Sequence, residues 1–280
     1  MKDLKLNSIK DLKNEGKSFY WASFFLPKKS KNNAGILYSI CRYFDNIADK
    51  NNKDMSLFLK ESIKKIKSDN KNEVNIFLKK NDINVLIFAD LIKGLISDQK
   101  DVKIKNQTDL IKYSYFVAGT VGLMMSKIIG VKNIKASSCA IDLGIAMQLT
   151  NISRDVIEDL NNGRSYIKEN FDDIKSTIKL SEKFYENSFY SINEIPISFR
   201  FSILVARRVY RKIGYKILNK KNFENYKKSG KIYVSNLEKV IETFISIFDL
   251  IKLLLINKND EYLQHDHFLI SEELNLNERI

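Results

Sequence analysis

QLTNISRDVIEDLNNGRSY, running from Gln148 to Tyr166, sets out a polar stripe at helical spacing: Gln148, Asn151, Asp155 and Asp159 fall at offsets 0, 3, 7 and 11. Those offsets share one face of an α-helix. Ile145, Ala146, Met147, Leu149, Ile152, Val156 and Ile157 surround the stripe, so the polar face lies where a core helix would be apolar. Asn161, Asn162 and Gly163 then stop the helix in the manner of a C-cap, and Arg164 follows directly. The same design recurs 110 residues upstream. Tyr38, Arg42, Asp45 and Asp49 stand at offsets 0, 4, 7 and 11 among Ile36, Leu37, Ile40, Phe44, Ile47 and Ala48.

A single aspartate pair at i, i+4 is ordinarily a solvated helix face. Two pairs, each set in apolar sequence, are different, because a carboxylate in such surroundings is costly unless it is paired or metal-bound. Should the faces of Asp45/Asp49 and Asp155/Asp159 meet inside a bundle, their mutual repulsion calls for a cation. Hard divalent ions, Mg²⁺ first and Mn²⁺ as an alternative, suit carboxylate oxygen and also bind phosphate.

The rest of the composition predicts an all-α protein. Only 10 glycines and 2 prolines, Pro27 and Pro196, punctuate 280 residues, and 44% hydrophobic content supplies a sizeable core. Apolar spacing follows 3 and 4 rather than 2. The net charge of +13 is compatible with nucleic acid, an anionic membrane or an anionic substrate. Lysine, asparagine and isoleucine are spread through loops and helices alike, as a coding bias would spread them, and no nucleic-acid-binding signature accompanies them, so no nucleic-acid partner is expected. Cys41 and Cys139 lack CxxC spacing and the two histidines, His265 and His267, lie near the end, which argues against a disulfide framework or structural zinc. The N-terminus MKDLKLNSIKDLKNEGKS alternates charge without an apolar core, unlike a secretory signal, and a cytosolic chain is expected. Phe244 to Ile256 is apolar but too short to span a bilayer. It reads as a core helix, with a membrane-facing helix as the alternative.

Along the chain, an aromatic cluster (Phe19, Tyr20, Trp21, Phe24, Phe25) precedes Pro27 and the first aspartate helix. Asn51 to Lys53 and the basic run Lys64 to Lys71 read as turns or solvated faces. Helices are predicted for Asn84 to Ser97, Asp109 to Gly130, Ser137 to Asp159, Ile174 to Asn193, Ile197 to Leu218 and Val234 to Lys258. A polar tail, Asn259 to Ile280, is expected to be partly disordered, leaving residues 1–258 as a single domain.

Taken together, SFYWASFFLP (Ser18 to Pro27), CRYFDNIAD (Cys41 to Asp49), YSYFVAGTVGLMM (Tyr113 to Met125) and the opening stretch resemble the phytoene/squalene synthase family in order and spacing. VYRKIGYKIL (Val209 to Leu218) and KIYVSNLEK (Lys231 to Lys239) are similar to its C-terminal segments, so the likeness covers roughly residues 16 to 245. Within the family, the run through VAGTVGLMM and IIGV looks most like bacterial phytoene synthases. The resemblance implies an isoprenoid synthase fold, one helical bundle around a deep central cavity. It also implies head-to-head condensation of two prenyl diphosphates, geranylgeranyl diphosphate first, to give phytoene for carotenoid biosynthesis. Farnesyl diphosphate, giving squalene, dehydrosqualene or presqualene diphosphate, is the alternative, and a non-catalytic membrane-associated subunit of the same fold is a third.

Carried onto this chain, the resemblance implies that Asp45, Asp49, Asp155 and Asp159 hold Mg²⁺. Arg42, Arg154 and Ser18 would contact diphosphate, and Gln148 and Asn151 metal-bound water or substrate oxygen. Phe19, Tyr38, Tyr113 and Tyr210 match aromatic site positions, although each alone also fits ordinary core packing. The small residues Ala118, Gly119 and Gly122 let another backbone or a ligand approach closely, and in the family's cavity they would leave room for prenyl tails. Three positions depart from the family pattern: Asn46 replaces a second consecutive aspartate, Lys231 stands for a diphosphate-gripping arginine, and no proline follows Tyr166. NADPH is not expected for phytoene formation, and the apolar substrates and product imply peripheral association with the inner membrane surface.

Overall fold

Asparagine starts many of the helices in this protein. In the computed structural model, which describes residues 10–49, 53–99, 102, 104–255 and 267–280, the side chains of Asn72, Asn84, Asn106, Asn133, Asn170 and Asn222 each accept a backbone N–H from the first turn of a helix. The bias toward asparagine therefore has a structural use at these six positions, because the first N–H groups of a helix have no partner within it.

The described elements are helical throughout. In order they are α1 (Lys10–Asn14), α2 (Lys17–Ser23), α3 (Lys28–Ala48), α4 (Lys53–Ser68), α5 (Glu73–Lys80), α6 (Val85–Ser97), α7 (Gln107–Ser114), α8 (Thr120–Ile128), α9 (Ile134–Arg154), α10 (Val156–Asn161), α11 (Phe171–Tyr190), α12 (Ile197–Leu218), α13 (Phe223–Lys228), α14 (Asn236–Leu255) and α15 (Phe268–Leu274). A π-helical turn, Tyr115–Gly119, joins α7 to α8, and short 3-10 turns follow α11 and α15.

Helix α9 is the axis of the bundle. It packs against α8, α11 and α12, and Ile141, Ile145, Ala146, Leu149 and Thr150 along it are fully buried. Each buried isoleucine or leucine contributes about 1.5–3 kcal/mol relative to exposure, which explains why this helix is apolar on nearly every side. On the α8 side the approach is close enough to demand glycine: a Cβ on Gly122 would stand 2.1 Å from the Ala140 carbonyl oxygen, and one on Gly144 2.3 Å from that of Ala118. On the far side, the buried Arg207 of α12 donates twice to the Tyr185 carbonyl of α11, at 3.0 and 2.9 Å.

Four local expectations are revised. The predicted single helix from Asp109 to Gly130 is interrupted by the π turn, in which the Thr120 N–H reaches back to the Tyr115 carbonyl and the Thr120 hydroxyl donates to that of Phe116 at 2.8 Å. The helix expected from Ser137 to Asp159 starts earlier, at Ile134, and breaks at Asp155. There the Tyr226 hydroxyl inserts from α13 and is shared between the carbonyls of Ser153 and Arg154, at 3.0 and 2.8 Å. An inserted side chain is a recognised cause of such breaks.

The last two revisions concern the C-terminal third. Helix α14 is not a core helix: it packs on α12 through Lys239, Glu242, Ser246 and Leu253, while Phe244, Phe248 and Leu255 are exposed by 63, 70 and 81%. In the polar tail, residues 267–280 dock onto the bundle, and residues 259–266 lie outside the described set. Ile270, Leu274 and Leu276 are buried, His267 pairs with the buried Asp142 at 2.5 Å, and Arg279 donates to Asp90 at 2.6 Å. Spaced apolar residues hidden in a polar sequence made this docking.

Candidate active site

Two helix ends converge at one end of the bundle. The C-terminal half of α3 carries Tyr38, Arg42, Asp45 and Asp49, while the end of α9 and the short α10 carry Gln148, Asn151, Arg154, Asp155, Glu158 and Asp159. All ten line a cavity of about 1040 Å³. The one-turn spacing within each pair survives, since the Asp49 N–H donates to the Asp45 carbonyl at 2.9 Å and the Asp159 N–H to that of Asp155 at 2.8 Å.

Each motif is laced to basic groups. Arg42 donates to Asp45 at 2.6 Å and also pairs with Glu15 of the α1–α2 turn. Arg154 grips Asp155 with two parallel hydrogen bonds, at 2.8 and 2.5 Å. Lys231 reaches Glu158 at 2.5 Å and Asp155 at 3.4 Å. Arg164 crosses between the motifs to Asp49, at 2.9 Å, and so closes the mouth electrostatically.

The carboxylates remain crowded in spite of these cations. Burial, then the neighbouring Asp155 charge, pushes the Asp159 carboxyl up to about 7. Burial and Asp49 likewise raise Asp45. The side-chain oxygen of Asn151 is buried and lacks a hydrogen-bond partner among the described residues. Such a set of hard oxygen donors, with an orphan amide oxygen beside it, has the chemistry of a site for a hard divalent cation, although no group of three carboxylates converges in ligand geometry among the described residues as they stand.

Behind the mouth the cavity turns apolar. Phe19 and Tyr210 pack ring to ring at 4.9 Å, and burial pushes the Tyr210 phenol up to about 12. Leu91, Leu95, Val121, Met125, Leu143 and Met147 line the middle, and Ile129, Ala136, Ile192 and Ile195 lie at the deep end. Asn151 and Ala136 both line it, so the cavity runs about 22 Å along α9.

Nearly every residue singled out from the sequence lines this cavity, including Ser18, Phe19, Tyr113, Ala118, Gly122 and Lys231. Gly119 does not. Its Cβ position faces Tyr115, Ile141 and Ile145, so its small size serves the packing of the π turn on α9 and not the lumen. Gly122 does both, touching Ala140 as well as the cavity.

Sequence reasoning missed Asp98 at the end of α6. Tyr113 and Tyr166, stacked at 4.7 Å, each donate to it at 2.9 Å, and burial pushes its carboxyl up to about 6 in spite of those bonds. No local pattern marks it, because its partners lie 15 and 68 residues away. Arg164 and Glu158 were also unassigned, though both stand within the Gln148–Tyr166 stretch.

An all-helical bundle around a cavity with an acidic, cation-laced mouth and an apolar interior defines an isoprenoid synthase fold. The squalene/phytoene synthase family model matches residues 12–170, and the chain belongs to that family of prenyltransferase-like enzymes, which act on prenyl diphosphates. A 15-cis-phytoene synthase from Enterobacter agglomerans is 27% identical over 241 residues, 72% of this chain and 82% of that protein. One from Paracoccus sp. is 27% identical over 252 residues, 78% and 83%. Among solved structures, a dehydrosqualene synthase in complex with ligand aligns with a TM-score of 0.76 at 27% identity, covering 88% of this chain and 95% of that one. The squalene synthase HpnC from Alicyclobacillus acidocaldarius aligns at 0.67 with 18% identity, covering 79% and 93%, a likeness of fold.

Proposed function

We propose that this protein is a phytoene synthase, joining two geranylgeranyl diphosphates head to head through a cyclopropyl diphosphate. The observation that carries the reading is the cavity itself: about 1040 Å³, charged at its mouth and apolar along some 22 Å of α9. The similarity to curated phytoene synthases supports the choice of product.

Asp45, Asp49, Asp155 and Asp159, with the orphan oxygen of Asn151, would hold Mg²⁺, and the donor set fits a hard cation. Bound there, Mg²⁺ would supply charge neutralisation for a departing diphosphate. Arg42, Arg154, Arg164 and Lys231, now paired with carboxylates, are placed to transfer their hydrogen bonds to diphosphate oxygens, the guanidiniums through planar forks. Loss of diphosphate leaves an allylic cation that water would quench. Phe19, Tyr38, Tyr113 and Tyr210 bound the upper cavity, exclude water and offer ring faces that stabilise positive charge. The double bond of the second substrate then attacks that carbon, and loss of a proton to the departed diphosphate closes the cyclopropyl diphosphate. Departure of the remaining diphosphate gives a second cation, which rearranges and loses a second proton to give phytoene. The paired diphosphate or a tyrosine–carboxylate couple such as Tyr113–Asp98 would accept the final proton.

A second reading is condensation of two farnesyl diphosphates, favoured by the similarity to a dehydrosqualene synthase structure. The two readings differ in the length of lumen that their substrates need. The apolar substrates and product also support a protein that works against the inner membrane surface. Incubation with Mg²⁺ and either diphosphate, with and without NADPH, followed by mass spectrometry of extracted hydrocarbon, tests both. A C40 product without NADPH is expected; a C30 product moves the protein to the second reading, and no product from either substrate overturns the catalytic proposal.

A further inference from the structure

Helix α14 shows solvent an unbroken apolar stripe. Leu237, Val240, Ile241, Phe244, Ile247, Phe248, Ile251, Leu254 and Leu255 are all exposed, one or two per turn along 20 residues or about 30 Å. A stripe of this size exceeds what a monomer ordinarily leaves wet.

On α14 the acidic side chains and Lys239 lie against the bundle, and Lys252 lies on the outer face. Among the acids, Glu238 meets Lys216 at 2.8 Å, Glu242 meets Lys212 at 3.3 Å, and Asp249 takes a fork from Arg208 at 2.5 and 2.9 Å. The exposed charge on the outer face between Val240 and Leu255 is Lys252. At the other end Lys17 is exposed near Lys239, which is buried and whose ammonium is held below its ordinary value by burial first and the Lys17 charge second. Beside the middle of the helix, Trp21 of α2 donates its indole N–H to Thr243 at 2.9 Å, and the adjacent exposed Phe24 carries Lys31 over its ring at 4.3 Å. Pro27 then opens α3 with exposed Lys28 and Lys29.

We propose that the outer face of α14, extended by Phe24 and rimmed by these lysines, docks onto an anionic lipid bilayer with the helix axis in the membrane plane. This assigns a surface to the membrane association proposed above and rests on that reading for its partner. An apolar stripe edged by cations matches the acyl boundary and the anionic headgroups together. A second copy of the chain fits less well, because a face-to-face dimer would oppose like-charged rims on molecules of net charge +13. Nor can the helix cross the bilayer: no described helix is long and apolar enough, and its inner face is held to α12 by ion pairs.

The test is flotation of the full chain with vesicles of phosphatidylcholine containing phosphatidylglycerol, against phosphatidylcholine alone. It needs no substrate, so its failure is separate from a failure of catalysis. Strong binding to the anionic vesicles is expected, weakened at least about tenfold by Phe244→Ser/Phe248→Ser, since two exposed aromatics supply much of the buried area. Lys28→Glu/Lys29→Glu should weaken the anionic preference. The serine variant should keep its melting temperature because neither ring is buried. Phe248→Trp provides a check that removes no apolar surface: its emission should be quenched by lipid brominated on the acyl chain. Absence of flotation, unchanged flotation of Phe244→Ser/Phe248→Ser, or unquenched Phe248→Trp would each overturn the proposal. Conversion of a dimer to a monomer by the serine variant, without vesicle binding, would assign the stripe to a second copy instead.

Discussion

Asp98 ties two aromatic rings to the mouth of the cavity through Tyr113 and Tyr166, and its chemistry makes a pH prediction. Its ordinary value is 3.8 and burial lifts it to about 6 in the folded protein. Between those values the folded state holds a proton that the unfolded chain releases. Its contribution to stability is therefore complete below its unfolded value and is lost as pH rises through about 6. Melting of the metal-free protein followed from pH 4 to 7 should show a fall that Asp98→Asn flattens; an unchanged slope in that variant would remove Asp98 as the source. Asp159 makes a second case. Its carboxyl is raised by burial and by Asp155, so Asp159→Asn should stabilise the metal-free protein while lowering kcat by about 100-fold or more, the loss typical when charge stabilisation at a reacting centre is removed. Loss of both activity and stability would show that Asp159 serves the fold. These residues differ in how visible they were. Asp159 stands one turn from Asp155 in a continuous helical stripe, whereas Asp98 is placed by contacts across the chain that no spacing announces.

At the scale of elements, the contact of the π turn and α8 with α9 is the most demanding joint. A methyl on Gly144 would stand 2.3 Å from a carbonyl oxygen, so the helices must part or the chain must distort. Gly144→Ala should cost about 1–3 kcal/mol by denaturant unfolding, whereas Gly214→Ala, whose Cβ would meet only Ile178 at 3.4 Å, should cost far less. Equal costs would argue that glycine propensity rather than contact sets the effect. The break at Asp155 depends on a single hydroxyl. Tyr226→Phe removes the donor shared by the Ser153 and Arg154 carbonyls and should cost about 1 kcal/mol, with a larger proportional loss of activity because Asp155 and Arg154 sit at that break. The sequence from 148 to 159 shows a continuous helical pattern, and only the insertion from α13 interrupts it.

For the molecule as a whole, the deep end of the cavity and the docked C-terminus carry the consequences. Ala136, buried at the far end of α9, is small where a prenyl tail would end. Ala136→Phe should shift hydrocarbon products from C40 toward C30 without loss of total turnover on the shorter substrate; a variant that keeps a C40 product would place the floor elsewhere. The tail packs on α7 and reaches α6. Arg279 reaches Asp90, which also receives the Tyr115 hydroxyl, so Arg279→Ala leaves a mostly buried carboxylate without its cation and should cost about 2 kcal/mol or more. A melting temperature equal to that of the parent would show that the tail only rests on the surface.

Helicity and the two carboxylate stripes were legible along the chain, because each rests on periodicity within a single helix; the family resemblance added Ser18, Phe19, Tyr113, Tyr210 and Lys231, which also line the cavity. Tertiary structure alone decided four things: that Arg164 bridges from one motif to Asp49 of the other, that Asp98 gathers Tyr113 and Tyr166, that Gly119 faces a helix and not the lumen, and that α14 turns its apolar side outward. Each depends on which surfaces of distant segments meet. A helix with two strongly marked faces reads the same in sequence whether the apolar one is buried or wet; for α14 the ion pairs of Glu242 and Asp249 with α12 held the charged side inward and left the apolar side to solvent.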